Sequence, residues 1–380
     1  METVRIEFHQ SDRTSLGVEM ELALVDRETG ALVSAASEIL AVLGKGHPEG
    51  VHPKAKHELF ECTVEVITDV CTTVAEARTD LAGMIAVVSA EAENRGLAPI
   101  CVGAHPFSRW RDQKVSPHPR YAALVEQMQW PAWRLQIFGI HYHVGVRSAE
   151  KAIAIANALC AYLPHLLALA ASSPYWEGHD TGLASCRTKV FEGLPTAGLP
   201  HRMADWTEFE QFMETLVNAQ AIRTIREVWW DIRPHPIFGT VELRMCDGMP
   251  TLREVSALAA LSQSLVEWLD RRIDAGAELP APREWVLREN KWLAARHGID
   301  AELIVDAHGN RRPARDEIAA LVDDLEPVAG ALGCHDELTG VTTILDVGPS
   351  YQRQRAVVDQ GGTLADVVGS LTAELASDCP

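Results

Sequence analysis

Residues 16–25 read Leu-Gly-Val-Glu-Met-Glu-Leu-Ala-Leu-Val and alternate without a break. Leu16, Val18, Met20, Leu22 and Leu24 fall on one side, with Glu19, Glu21 and Ala23 on the other, which predicts a half-buried strand. Asp26-Arg27-Glu28-Thr29-Gly30 then supplies turn chemistry, and Ala31-Leu32-Val33 is expected to return as a hairpin partner. Glu19 and Glu21 lie two residues apart on one face. Such a pair either faces water or holds something positive, because two inward carboxylates repel unless a cation sits between them.

Three further segments carry same-face ionisable groups. Glu58 to Val66 is rich in β-branched residues and is expected to be a strand, with Glu61 and Glu65 sharing parity and Glu58 opposite them unless a bulge intervenes. Leu135 to Val146 contains Gly139-Ile140-His141-Tyr142-His143-Val144-Gly145, which places His141 and His143 on one face between glycines that permit close approach of a ligand or metal. Thr240 to Met245 puts Glu242 and Arg244 opposite Val241, Leu243 and Met245. Each segment alone fits a solvated face, a hydrogen-bonded core histidine or an exposed ion pair. Together they predict a sheet with Glu19, Glu21, Glu58, Glu65, His141 and Glu242 on one face around divalent cations, and arginines beside a phosphate in transfer. Hard carboxylate oxygens suit Mg²⁺, with Mn²⁺ as the other choice.

The rest of the chain sets bounds. Its 380 residues carry 34 Lys plus Arg against 53 Asp plus Glu, a net charge of −19, which disfavours nucleic acid or an anionic membrane as partner. Eight cysteines without a CxxC pair, and no apolar run in Met1–Arg13, fit a reducing, cytoplasmic setting. Ala152–Ser173 lacks charge and is long enough to cross a bilayer, but Asn157, Pro164 and His165 interrupt it, so a buried helix is expected. Thr73–Arg95, Arg283–Arg296, Ala314–Leu332 and Leu364–Leu375 have helical patterns, and Glu278–Pro282 reads as a turn or linker. The expected organisation is one catalytic unit over 1–380, with a sheet-and-helix core in 1–270 and a mainly helical portion in 271–380. Neither GxGxxG nor GxxxxGK[ST] occurs, so a bound nucleotide needs another device for its phosphates; the absence of HExxH disfavours a zinc hydrolase, and the absence of GxSxG and of a Cys-His motif disfavours a covalent enzyme intermediate.

Seven strings in fixed order add a resemblance. GVEMEL (17–22), HELF (57–60), GIHYHVGV (139–146), RTKVFEGLPTAGLP (187–200), WWDIRPHPIFGTVELRMCD (229–247), ENKW (289–292) and GPSYQRQR (348–355) resemble the bacterial carboxylate-amine ligases of the glutamate-cysteine ligase type 2 family. That family is similar in fold to glutamine synthetase, which implies an α+β fold with a curved, mainly antiparallel sheet backed by helices. The resemblance implies an ATP-dependent ligase that makes an amide or peptide bond through an acyl phosphate, with glutamate and cysteine or a related amine as substrates and a homodimer as a possible assembly. A glutamine synthetase-like or guanidino kinase activity on the same sheet, and a catalytically silent binding protein, are the alternatives. By the same resemblance Glu19, Glu21, Glu58, Glu65, His141 and Glu242 are metal ligands, and Arg244 sits against the transferred phosphate. Arg187 and Arg233 contact substrate carboxylate and phosphate in an order left open, and His143 contacts ATP or substrate. Met20 and Tyr351 depart from the family pattern; Met20 falls on the apolar face, and Tyr351 stands where a small residue is common.

Overall fold

A computed structural model describes residues 6–378. Among the described residues eleven strands occur, in the order β1 Leu16–Asp26, β2 Ala55–His57, β3 Thr63–Ile67, β4 Leu97–Ile100, β5 Gly139–Gly145, β6 Tyr175–Trp176, β7 His179–Asp180, β8 Ile232–His235, β9 Thr240–Asp247, β10 Glu302–Ile304 and β11 Arg311–Pro313. Seven of them form the main sheet, ordered β2-β3-β1-β5-β9-β8, with β4 paired to the second half of β1. Every pairing in it is antiparallel.

The alternation in β1 sets which face is core. Leu16, Val18, Met20, Leu22 and Leu24 are all at most 2% exposed, and each buried side chain of this kind contributes about 1.5–3 kcal/mol. Against this face lie the helices Val74–Glu93 and Leu252–Asp274. The first is started by a reciprocal cap between Thr73 and Glu76. Tyr142, on the same core face as the β1 apolar row, donates its hydroxyl to the Val255 carbonyl at 3.0 Å and ties β5 to the second helix. One apolar cluster takes in residues from Leu16 to Leu375, including residues of the helices Glu284–His297, Ala314–Leu332, His335–Val347 and Leu364–Asp378, while Val357 and Val358 of the helix Ser350–Asp359 pack against a second cluster with Val25 and Ile100.

Ala152–Ser173 forms parts of two helices, Ala149–Leu159 and Leu163–Ala170, bent by 65°. The second is buried along its whole length. No single helix among the described residues is long and apolar enough to cross a membrane.

Three expectations need correction. Glu58–Val66 is not one strand: β2 ends at His57, the chain turns through 58–62, and β3 begins at Thr63. β2 and β3 pair with Lys56 opposite Glu65, so Glu58, two residues beyond Lys56, returns to the face that carries Glu65. Turning the chain back removes the parity conflict that a continuous strand creates. Ala31–Val33 does return antiparallel to β1, but only as a short bridge, Leu32 to Val25, with Asp26 N–H on the Ala31 carbonyl and Val33 N–H on the Leu24 carbonyl, along the edge that β3 leaves free beyond Ala23. The strand expected over Leu135–Val146 is β5 and begins at Gly139; Phe138 instead gives its N–H to the Gly103 carbonyl.

Candidate active site

The polar face of the sheet opens into a cavity of about 400 Å³. All ten residues singled out from the sequence line it: Glu19, Glu21, Glu58, Glu65, His141, His143, Arg187, Arg233, Glu242 and Arg244. Cross-strand register brings them together. Glu21 stands opposite Glu65, Glu19 opposite His141, His143 opposite Glu242, and Glu242 opposite Arg233. A bulge between β5 and β9 near Ile140 and Tyr142 shifts the register beside His141.

At one end the charges are paired. His141 Nδ1 is 3.1 Å from Glu19 Oε2 and 4.0 Å from Glu242 Oε1, and His143 Nε2 is 3.5 Å from Glu19 Oε1 and 3.7 Å from Glu242 Oε1. Glu242 is 1% exposed. Arg233 donates to it from Nε at 2.9 Å and NH2 at 2.7 Å, and Arg244 donates to its other oxygen. The remaining nitrogen of Arg233, NH1, is taken by the Ile225 and Val228 carbonyls. Burial alone would raise the Glu19 and Glu242 carboxyls, but the histidines around Glu19 and the two arginines and two histidines around Glu242 hold both well below the usual carboxylate range. Burial, reinforced by Arg244, lowers His141 to about 4.

At the other end carboxylates face one another. Burial and the charge of Glu58 raise Glu21 to about 8 against the pull of Arg187, although Glu21 Oε2 accepts the Gly139 N–H at 2.6 Å. Glu65 is raised well above its ordinary value by burial and then by Glu19, Glu58 and Glu21. Arg187 reaches this end because position 139 has no side chain: a Cβ there would stand 2.2 Å from Arg187 NH2. Arg187 is itself fixed by its backbone, which donates to Ser173 Oγ at 3.1 Å, while Ser173 and Ser185 both donate to the buried Asp247 carboxylate.

The residues present fit a hard divalent cation and a polyphosphate. Glu19, His141 and Glu242 each offer a ligand atom, all within 4.8 Å of one another. Among the described residues, buried nitrogens of three that line the cavity, His143 Nε2, Arg187 Nε and Arg244 Nε, find no hydrogen-bond partner.

Other lining residues had no role in the sequence-based expectations. Lys56, Arg120 and Arg226 are exposed cations on the wall, and Tyr121, Trp229, His235 and Phe238 add aromatic surface. Arg120 and Tyr121 sit on the helix Pro119–Met128, for which proline at the first turn after His118 was the available signal. Glu61 is kept off the cavity by Ser37, whose hydroxyl donates to it at 2.7 Å. Tyr351 lies elsewhere, its hydroxyl 3.0 Å from both the His297 carbonyl and Asp300 Oδ2, so the departure at that position does not touch this cavity.

Comparisons with known proteins place the chain in a family. Residues 15–370 match glutamate-cysteine ligase family 2. A Frankia casuarinae protein provisionally named glutamate–cysteine ligase 2-1 is 55% identical over 99% of both chains. A Thermobifida fusca protein provisionally named glutamate–cysteine ligase 2 is 51% identical over 99% of this chain and 94% of its own. Among solved structures, glutamate–cysteine ligase from Francisella tularensis in complex with AMP superposes with a TM-score of 0.71 over 98% of this chain and 91% of that one, at 13% identity, a likeness of fold. The family match and these relatives make the chain an ATP-dependent carbon–nitrogen ligase, an enzyme that joins a carboxylate to an amine. The chain belongs to glutamate-cysteine ligase family 2.

Proposed function

We propose that this enzyme joins glutamate to cysteine, or to an amine of similar size, at the cavity on the polar face of the sheet. The observation that carries this is the convergence of six carboxylate or imidazole ligands and three arginines from separate stretches of chain on one cavity. A substrate carboxylate oxygen attacks the γ-phosphorus of ATP, the bond from that phosphorus to the bridging oxygen breaks, and ADP leaves. The amine then attacks the acyl carbon of the acyl phosphate, gives up a proton, and displaces inorganic phosphate. The names of the Frankia and Thermobifida relatives support the substrate pair, and the nucleotide bound by the Francisella enzyme supports an adenine nucleotide as donor.

Within this scheme Glu19, His141 and Glu242 hold one Mg²⁺ or Mn²⁺, and Glu21, Glu58 and Glu65 serve a second. The metal supplies positive charge that neutralises the polyphosphate. Arg244 faces the charge that develops on the phosphoryl group, and Arg187, at the carboxylate-rich end, holds a carboxylate of the amino-acid substrate. Arg233 spends its donors on Glu242 and two carbonyls, and so orients Glu242 and through it Arg244.

Oxygen labelling tests the route. With ¹⁸O in the substrate carboxylate, one labelled atom appears in inorganic phosphate for each amide formed, and ADP accompanies it. Labelled AMP, or phosphate without label, would show that activation runs through the α-phosphorus or through another intermediate and would end the acyl-phosphate scheme.

A further inference from the structure

Of the aromatic rings along the cavity, one is built like a platform with a free side. Phe238 is 51% exposed although it lines the cavity, and its ring lies on His235 with centroids 4.1 Å apart and planes 11° from parallel. His235 covers one face of Phe238 and leaves the other open. The competing rings are closed: Tyr121 is 7% exposed with its hydroxyl on the His57 carbonyl, Trp229 is 8% exposed, and the Arg187 guanidinium stands over Phe191.

The platform is also held rigid. It sits at the tip of the β8–β9 hairpin, where Gly239 donates to the His235 carbonyl at 2.9 Å and Phe238 N–H reaches His235 Nδ1 at 3.3 Å. His9 N–H bonds the Pro236 carbonyl from outside, and Gly239, at φ +64°, leaves no room for a side chain, since a Cβ would fall 1.7 Å from the His9 carbonyl oxygen. A surface ring fixed this way loses little freedom when something stacks on it.

His143 bridges the platform and the ligand cluster. Its ring lies edge-on to both His235 and Phe238, at 5.7 and 5.5 Å, while its Nε2 stands 3.5 Å from Glu19 and 3.7 Å from Glu242. A nucleoside triphosphate has the same sequence of demands, a flat apolar base at one end and a polyanion needing cations at the other.

We infer that Phe238 is the stacking platform for the nucleotide base, with the phosphates running inward past His143 to the Glu19–His141–Glu242 cluster. Placing the base here rests on the ligase activity proposed above and adds the residue that recognises the donor's base. Base stacking on an aromatic side chain is tolerant of base identity, so the platform binds purines by their flat faces.

The experiment compares Phe238→Leu, which keeps apolar bulk, with Phe238→Tyr, which keeps the ring. Binding of ADP and of inorganic tripolyphosphate, each with Mg²⁺, is measured by calorimetry alongside ligase turnover. Phe238→Leu is expected to weaken ADP about tenfold or more while leaving tripolyphosphate within about twofold, and Phe238→Tyr to restore ADP binding. Equal losses for both ligands, or no loss for either, would overturn the platform while leaving the ligase activity standing. A selective loss of ADP in Tyr121→Leu instead would place the base at the opposite end of the cavity and overturn it as well. Wild-type protein that binds no ADP and forms no product would remove the ligase activity and the platform together.

Discussion

The two ends of the cavity use the same residue type to opposite effect. Around Glu19 and Glu242 the chain supplies His141, His143, Arg233 and Arg244, and both carboxyls are held low. Around Glu21 and Glu65 it supplies mainly more carboxylates, with Arg187 the principal counter-charge to Glu21 and Lys56 to Glu65, and both carboxyls are held high. The paired end is preorganised by the protein itself, so its charges cost little further rearrangement when ligand arrives. The crowded end is left in charge deficit, which a divalent cation relieves on binding. On the reading proposed above, the paired end is a fixed electrostatic scaffold that would hold its cation with little rearrangement, and the crowded end is the one whose charge balance a cation would complete.

The largest expected effect tests the scaffold. Glu242→Gln removes the charge shared by two buried arginines, and breaking a buried pair from one side costs on the order of 3 kcal/mol. Turnover is expected to fall below detection, and the urea midpoint of unfolding to drop measurably. A variant that loses turnover with its unfolding midpoint unchanged would show that Glu242 serves only the ligand, and the contrast between the ends would fail on its structural side.

The two ends also differ in how readily the sequence disclosed them. Glu19, His141, His143, Glu242 and Arg244 stand on strands that alternate cleanly against apolar partners, so period-2 parity was enough to put them on one face. Strand parity alone set Glu58 opposite Glu65, and only the combined pattern placed the two on one face, because parity counts residues along a strand and cannot see the turn at 58–62 that reverses the chain. Arg187 carries no strand parity; it enters from a six-residue helix whose position depends on the buried Asp247 and on the missing side chain of Gly139. Only resemblance to other ligases could name it. Lys56 reaches the wall through the β2–β3 register opposite Glu65, and Arg120 and Arg226 through tertiary packing; no local pattern marks an exposed cation that happens to face a cavity. The antiparallel α+β fold was legible for the same reason as the paired end, since the apolar rows that bury the sheet also fix where its polar face points.

Arg244 gives the next effect in size and separates charge from geometry at the paired end. Lysine keeps the positive charge beside Glu242 but loses the planar fork that can serve Glu242 and phosphate together. Arg244→Lys is expected to lower kcat by roughly 100-fold with a much smaller change in KM for ATP, the pattern of an interaction made mainly in the transition state. Steady-state kinetics at saturating Mg²⁺ would check it. A change confined to KM would make Arg244 a ground-state anchor and move the catalytic charge elsewhere on the wall.

The smallest effect belongs to the crowded end and has a different sign for stability. Glu65 is buried and faces Glu19, Glu21 and Glu58, so in metal-free protein its carboxylate adds repulsion that an amide of the same shape does not. Glu65→Gln is therefore expected to leave the metal-free melting temperature unchanged or raise it by about 1–2 °C, where Glu242→Gln lowers it. Its cost falls on the metal: with one fewer hard anionic ligand, the Mg²⁺ concentration for half-maximal rate rises about tenfold, and saturating Mg²⁺ recovers most of the turnover. Thermal melts with and without Mg²⁺, paired with a Mg²⁺ titration of initial rate, read both quantities on one protein. If Glu65→Gln instead destabilised the metal-free chain as Glu242→Gln does, the carboxylates at this end would be paired by something within the protein, and the distinction between a scaffold and a metal-completed end would be lost.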